Sequence, residues 1–131
     1  MARILVVDDE SDLVDYLAGE LKFAGFQTDT AYNGVEAILK VLDHTPNVVL
    51  MDVRMPKLDG INALKIIRRI APELPVLMFT GQAGQGDMYE ATRLGAFTCL
   101  LKPIAIEDLL NVLQQVLVQT PNKKIDILHF N

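Results

Sequence analysis

The apolar positions of this chain follow two periods that alternate from end to end. Residues 3–8 form a short run of branched apolar side chains. Residues 11–25 then place Leu13, Val14, Leu17, Leu21 and Ala24 at helical spacing, with Ser11 as an N-cap candidate and Gly25 at the stop. Residues 26–31 alternate apolar or β-branched with polar side chains, as an edge strand does. Helical spacing returns over 33–44 through Val35, Ile38, Leu39 and Leu42. The same pattern predicts strands over 47–52, 75–80 and 97–101, and helices over 60–71, 87–94 and 106–119, with Gly95 closing the second of these helices. The runs "VVLM" and "VLMF" are apolar without a break, which is what strands of a parallel sheet buried on both faces require. Five strand–helix pairs in alternation argue for an α/β fold: an open parallel sheet with helices on both sides.

Composition narrows this picture. The chain has 131 residues, half of them hydrophobic, which is enough for one domain to build its core without disulfide or metal staples. One domain is expected over residues 1–119, with 120–131 as a C-terminal tail, the start of a linker, or an apolar segment that docks through Ile125, Ile127, Leu128 and Phe130. No apolar run approaches the roughly 18 residues of a membrane span. Met1-Ala2-Arg3 enters the first strand directly, leaving no room for a signal peptide, so a soluble cytoplasmic protein is expected. Cys99 is the single cysteine, which rules out an internal disulfide, and nothing points to a thiolate zinc site. Twelve Lys and Arg against seventeen Asp and Glu give a net charge of −5, so direct nucleic-acid or membrane binding by this domain is not expected.

The candidate chemistry lies at the ends of the strands. In open α/β sheets the ligand crevice sits beyond the strands' carboxyl ends. The first strand runs into Asp8 and Asp9, the third ends in Asp52, the fourth in Thr80, and the fifth in Lys102 followed by Pro103. Each has an ordinary explanation: loop acids favoured by a helix N-terminus, a turn former before Pro56, common strand composition, and a surface cation before a helix-starting proline. Together they offer three carboxylates, a hydroxyl and an ammonium to one crevice. Clustered acids repel unless a cation joins them, and Mg²⁺ prefers a few carboxylate oxygens with water and phosphate oxygens. A carboxylate can also attack phosphorus while fixed donors hold the equatorial oxygens, so the set suits phosphoryl transfer onto an aspartate. In that reading Asp8, Asp9 and Asp52 form the metal site, a backbone carbonyl at Arg54 completes it, Lys102 is the point charge and Thr80 the hydroxyl donor.

The segments "VVDDE", "LMDVRMPKLDG", "MFTG" and "LGAFTCLLKP" resemble the receiver domain of two-component response regulators, from about residue 3 to residue 119. The resemblance implies a flavodoxin-like (βα)5 fold, a three-layer α/β/α sandwich around a parallel five-stranded sheet of order 2-1-3-4-5. It implies Asp52 as phosphoacceptor, Asp8 and Asp9 as metal acids, the Arg54 carbonyl as a backbone metal ligand, Thr80 as switch hydroxyl, Lys102 as phosphate contact and a cis peptide bond before Pro103. It further implies Mg²⁺ as cofactor and a histidine kinase or histidine phosphotransfer protein as donor. A downstream effector or output domain would be the target, and a phosphorylation-dependent dimer is allowed. Such a domain is a switch, not an enzyme, because its chemistry is confined to its own Asp52.

Two positions depart from the family pattern. Cys99 stands where an aromatic switch residue is usual, with Phe97 placed to share its strand face and fill part of that role. Lys57 stands where the loop after the acceptor often has glycine. The loop "GQAGQGD" carries Gly81, Gly84 and Gly86, which suits either a segment that rearranges or simple flexibility. A haloacid-dehalogenase-like phosphatase is disfavoured because "DDE" lacks its D-x-D pattern, and a flavin-binding flavodoxin because acids occupy the place of a phosphate loop. A pseudo-receiver that binds partners without phosphorylation is the alternative that Cys99 keeps open. Neither His44 nor His129 belongs to a metal-like spacing.

Overall fold

The computed structural model describes residues 2–81 and 85–119. Ten elements alternate: β1 (Arg3–Val7), α1 (Ser11–Phe23), β2 (Gln27–Ala31), α2 (Gly34–Asp43), β3 (Val48–Asp52), α3 (Gly60–Ile70), β4 (Val76–Thr80), α4 (Gln85–Arg93), β5 (Thr98–Leu101) and α5 (Ile106–Gln119). The strands form one sheet of order β2-β1-β3-β4-β5, and every neighbouring pair is parallel. This is the flavodoxin-like order, with β2 on the edge as its polar alternation predicted. Among the described residues, no helix is long and apolar enough to cross a membrane.

The period of two along the strands sorts the core into two layers. Leu5, Val7, Val49, Met51, Val76 and Met78 face α2, α3 and α4. Ile4, Val6, Val48, Leu50, Leu77 and Phe79 face α1 and α5 through Val14, Leu17, Leu21, Leu109, Leu113 and Val116. β3 and β4 are buried along their whole length, so the unbroken apolar runs reflect coverage on both faces. The helices begin where local chemistry directs. Asn33 accepts the Glu36 backbone N–H at 2.9 Å, and Asp59 accepts that of Asn62 at 2.8 Å.

Four local expectations differ from the structure. Ser11 is the first residue of α1 rather than its cap. Glu10 holds the cap position without a side-chain cap bond, because its carboxylate is 3.0 Å from the Lys102 ammonium instead. In α2 the apolar set Val35, Leu39 and Leu42 is exposed, while Ala37 and Val41 meet the sheet. Gly34 explains that rotation: its N–H donates to the Leu58 carbonyl at 3.1 Å, and a Cβ there would lie 2.3 Å from that oxygen. The close approach sets which face of α2 turns inward. β5 starts at Thr98, so Phe97 precedes the strand and is 38% exposed. Helix α4 starts at Gln85, two residues before the expected start, and takes in Gly86. Residues 82–84 of the glycine-bearing loop, and residues 120–131 with His129 and the proposed tail or linker, lie outside the described residues.

Candidate functional site

Parallel strands end together, and this register brings distant parts of the chain to one rim of the sheet. Val7 pairs with Met51, Asp52 with Phe79, and Thr80 with Leu101, so residues 8, 52, 80 and 102 emerge side by side. The Lys102 N–H donates to the Thr80 carbonyl at 2.9 Å, and the Val53 N–H to the Phe79 carbonyl at 2.9 Å, extending the ladder just beyond the strand ends. Gly60 lets α3 start directly over this rim, since a Cβ there would lie 2.0 Å from the Asp52 carbonyl oxygen.

One carboxylate oxygen each from Asp8, Asp9 and Asp52 lies within 4.8 Å of the others. Asp8 and Asp52 are buried and Asp9 is exposed, which leaves the cluster open on one side. Asp8 Oδ1 accepts the Glu10 backbone N–H at 3.0 Å, and Asp8 Oδ2 is 2.9 Å from Lys102 Nζ. The same ammonium lies 3.4 Å from Asp52 Oδ2 and 5.2 Å from the centre of the Phe79 ring. A single cation, itself stacked on an aromatic face, is thus shared by Asp8, Asp52 and, at 3.0 Å, Glu10. Three hard oxygen donors converging around an open side match what a small divalent cation demands, so the residues fit a metal site.

Electrostatics follow from crowding. The Asp52 carboxyl is pushed up to about 6, first by burial and then by the charge of Asp8, while Lys102 and the Arg54 backbone N–H pull it down. Asp9 is also raised, by desolvation first and then by Asp8 and Glu10. Burial pulls the Lys102 ammonium down, but the carboxylates of Asp8, Glu10 and Asp52 outweigh it and hold it above its ordinary range. Lys102 therefore stays charged throughout the neutral range.

The other candidates occupy the same end of the molecule in different ways. Thr80 is buried at the end of β4. The peptide bond between Lys102 and Pro103 is cis. Arg54 contributes its backbone next to Asp52, while its guanidinium reaches Asp87 on α4 at 2.7 Å. Cys99 is half-buried and packs on the layer facing α4, and Phe97, one residue before β5, still donates its backbone N–H to the Val76 carbonyl of β4 at 2.8 Å. Neither stands in the carboxylate cluster. His44 ends α2, away from the acids. Two participants were not singled out from the sequence. Glu10 as a partner of Lys102 was visible in the "DDE" run, but its role needed the fold. The Asp87 partner of Arg54 has no sequence signal. Lys57, with φ +68°, sits in a three-residue turn closed by the Leu58 N–H on the Pro56 carbonyl at 2.8 Å.

Comparison with known proteins agrees with this arrangement. The sequence profile described as "Response regulator receiver domain" matches residues 4–114. The chain is 41% identical over 128 residues to the regulatory protein AtoC of Escherichia coli, covering 97% of this chain and 28% of that protein. It is 36% identical to the transcriptional regulatory protein CpxR homolog of Haemophilus influenzae, covering 100% of this chain and 59% of that protein. The chain thus spans less than two thirds of these curated relatives. Among solved structures, a CheY-like response regulator receiver domain protein from Methanospirillum hungatei superposes with a TM-score of 0.90 at 26% identity, over 94% of this chain and 98% of that one. The receiver domain of NtrX from Brucella abortus gives 0.84 at 36% identity, over 88% and 98%. Because the matched span holds the three acids, the hydroxyl and the lysine at its strand ends, the chain belongs to the response regulator receiver domain family.

Proposed function

We propose that the domain accepts a phosphoryl group on Asp52 from a phosphohistidine of a histidine kinase or phosphotransfer protein in the cytoplasm. The change of charge then switches its surface toward an effector or output domain. The observation that carries this reading is the placement of the Asp52 carboxylate 3.4 Å from Lys102 and within 4.8 Å of the Asp8 and Asp9 oxygens. Asp8, Asp9, Asp52 and the Arg54 carbonyl would hold Mg²⁺, which when bound neutralises charge on the transferring group.

This chain's residues account for the rest. An Asp52 carboxyl raised to about 6 is still ionised at pH 7.5 and is more basic than an ordinary carboxylate, a favourable balance for a nucleophile. Its oxygen forms the new P–O bond as the P–N bond to the donor imidazole breaks, and the leaving nitrogen keeps the electron pair. Lys102, held charged by the three acids, offers a fixed positive charge to the phosphoryl oxygens, and Thr80 offers its hydroxyl from the end of β4. No second substrate is needed, so the domain acts as a switch whose chemistry is confined to Asp52.

Intact-mass spectrometry after incubation with Mg²⁺ and acetyl phosphate tests the proposal. The wild type is expected to gain one phosphoryl adduct that requires Mg²⁺, and Asp52→Asn none. A folded wild type that gains no adduct from acetyl phosphate or from phosphohistidine donors would overturn this reading in favour of a pseudo-receiver.

A further inference from the structure

The aromatic residue that usually links the acceptor site to the α4 side is Cys99 here, yet a different side chain already connects the two. Arg54, two residues beyond Asp52, sends its guanidinium to Asp87 in the first turn of α4, with Nη2 2.7 Å from Oδ2. The contact is a single N–O pair, and the Arg54 side chain is 72% exposed, so the guanidinium is free to exchange partners. At its other end, the Arg54 backbone N–H touches the Asp52 carboxylate. α4 itself has a thin apolar hold: Ala91 is its one fully buried side chain among the described residues, and Tyr89 is 71% exposed. Asp87 also bears on Cys99, whose thiol is raised first by burial and then by this carboxylate's charge.

We propose that the Arg54–Asp87 ion pair is a latch that holds the first turn of α4 to the acceptor loop, and that phosphorylation of Asp52 opens it by drawing the guanidinium to the phosphoryl group. This rests on the acceptor reading above. An aspartyl phosphate carries about two negative charges where the carboxylate carried one, and presents the tetrahedral oxygens that a guanidinium binds in a forked geometry. Asp87, one carboxylate on an exposed helix, is the weaker competitor. Its release removes an anchor from a helix with little buried surface, so the effect is local opening of α4 and not a change in the sheet.

Amide hydrogen exchange over residues 87–93 tests the latch, using beryllofluoride with Mg²⁺ as the phosphoryl mimic. In the wild type the mimic is expected to speed α4 exchange about two- to five-fold, the range that an exposed ion pair supports. Asp87→Asn and Arg54→Gln are each expected to show that faster exchange without the mimic and to gain nothing further when it binds. A merely structural contact would behave differently, because the mimic would add the same factor in all three proteins; that result overturns the latch. So does α4 exchange in the unliganded variants that equals the wild type. Bound fluoride is followed separately by ¹⁹F resonance, with Asp52→Asn as control. Bound signal with unmoved α4 amides overturns the latch and leaves the acceptor reading standing, whereas no bound signal in the wild type overturns the acceptor reading and the release step with it.

Discussion

The body of the sheet and its carboxyl rim obey opposite rules, although one ends where the other begins. In the body, Ile4 to Val7, Val48 to Met51 and Val76 to Phe79 are fully buried, branched or large, and matched to a parallel ladder. Propensity, period and packing all agree there. Just beyond the strand ends, the carboxylates of Asp8, Glu10 and Asp52 gather around Lys102, Asp52 is held well above its ordinary pKa, and Lys57 adopts a left-handed backbone. The contrast teaches where stability resides: the body supplies it, and the rim spends part of it on an arrangement that serves binding and chemistry.

The comparison breaks most plainly if the body can be emptied without consequence. Leu50→Ala removes a fully buried side chain from β3 in the layer facing α1 and α5, and is expected to destabilise the protein by about 3 kcal/mol in urea denaturation. At the rim the same size of loss should come only from removing the compensating cation. Lys102→Met keeps the side-chain bulk but leaves Asp8 and Asp52 buried without their shared partner, for a loss of about 2 kcal/mol at pH 8. That loss should shrink toward pH 5 as Asp52 protonates. The same substitution should move the Asp52 carboxyl above about 6, followed by the carbon shift of its side chain in NMR.

Removing an acid should have the reverse sign. The folded-state pKa of Asp52, about 6, lies above the ordinary aspartate value of 3.8, so the folded protein binds this proton more tightly than the unfolded chain. Stability from this group is therefore full below 3.8 and declines as pH rises to about 6. Asp52→Asn abolishes that decline. In metal-free buffer it is expected to stabilise the fold by about 1 kcal/mol at pH 7.5, after allowance for solvent screening at an open site, and by nothing at pH 3.5. Equal thermal shifts at the two pH values would show that the raised pKa is not what strains the rim.

The body was legible in the sequence because its signals are local and repeated. The unbroken "VVLM" and "VLMF" placed the central strands, and the strand-end positions of Asp8, Asp52, Thr80 and Lys102 pointed to one crevice. What escaped depended on contacts between segments. The face of α2 could not be read from Val35, Leu39 and Leu42, because the backbone approach of Gly34 to Leu58 sets the helix rotation. Ser11 looked like a cap, but Glu10 holds that position while its side chain pairs with a lysine 92 residues away. Arg54 was read for its carbonyl alone, since nothing local announces that its guanidinium meets Asp87.

Lys57 gives the smallest and most local way to sharpen the contrast. Its φ of +68° lies in the left-handed region, where a Cβ crowds the following carbonyl at a penalty of about 1–2 kcal/mol that glycine does not meet. Glycine also has more freedom to lose on folding, by roughly 0.5–1 kcal/mol, so the two terms partly offset. Lys57→Gly is therefore expected to raise stability by about 0.5 kcal/mol in urea denaturation, with Leu58 still bonded to Pro56 and Gly34 still seated on the Leu58 carbonyl. Lys57→Ala separates backbone from charge: it should give no gain, because alanine keeps the Cβ. If alanine stabilises as much as glycine, the relevant quantity is the lysine charge beside the acidic rim, and the left-handed turn is not a source of strain.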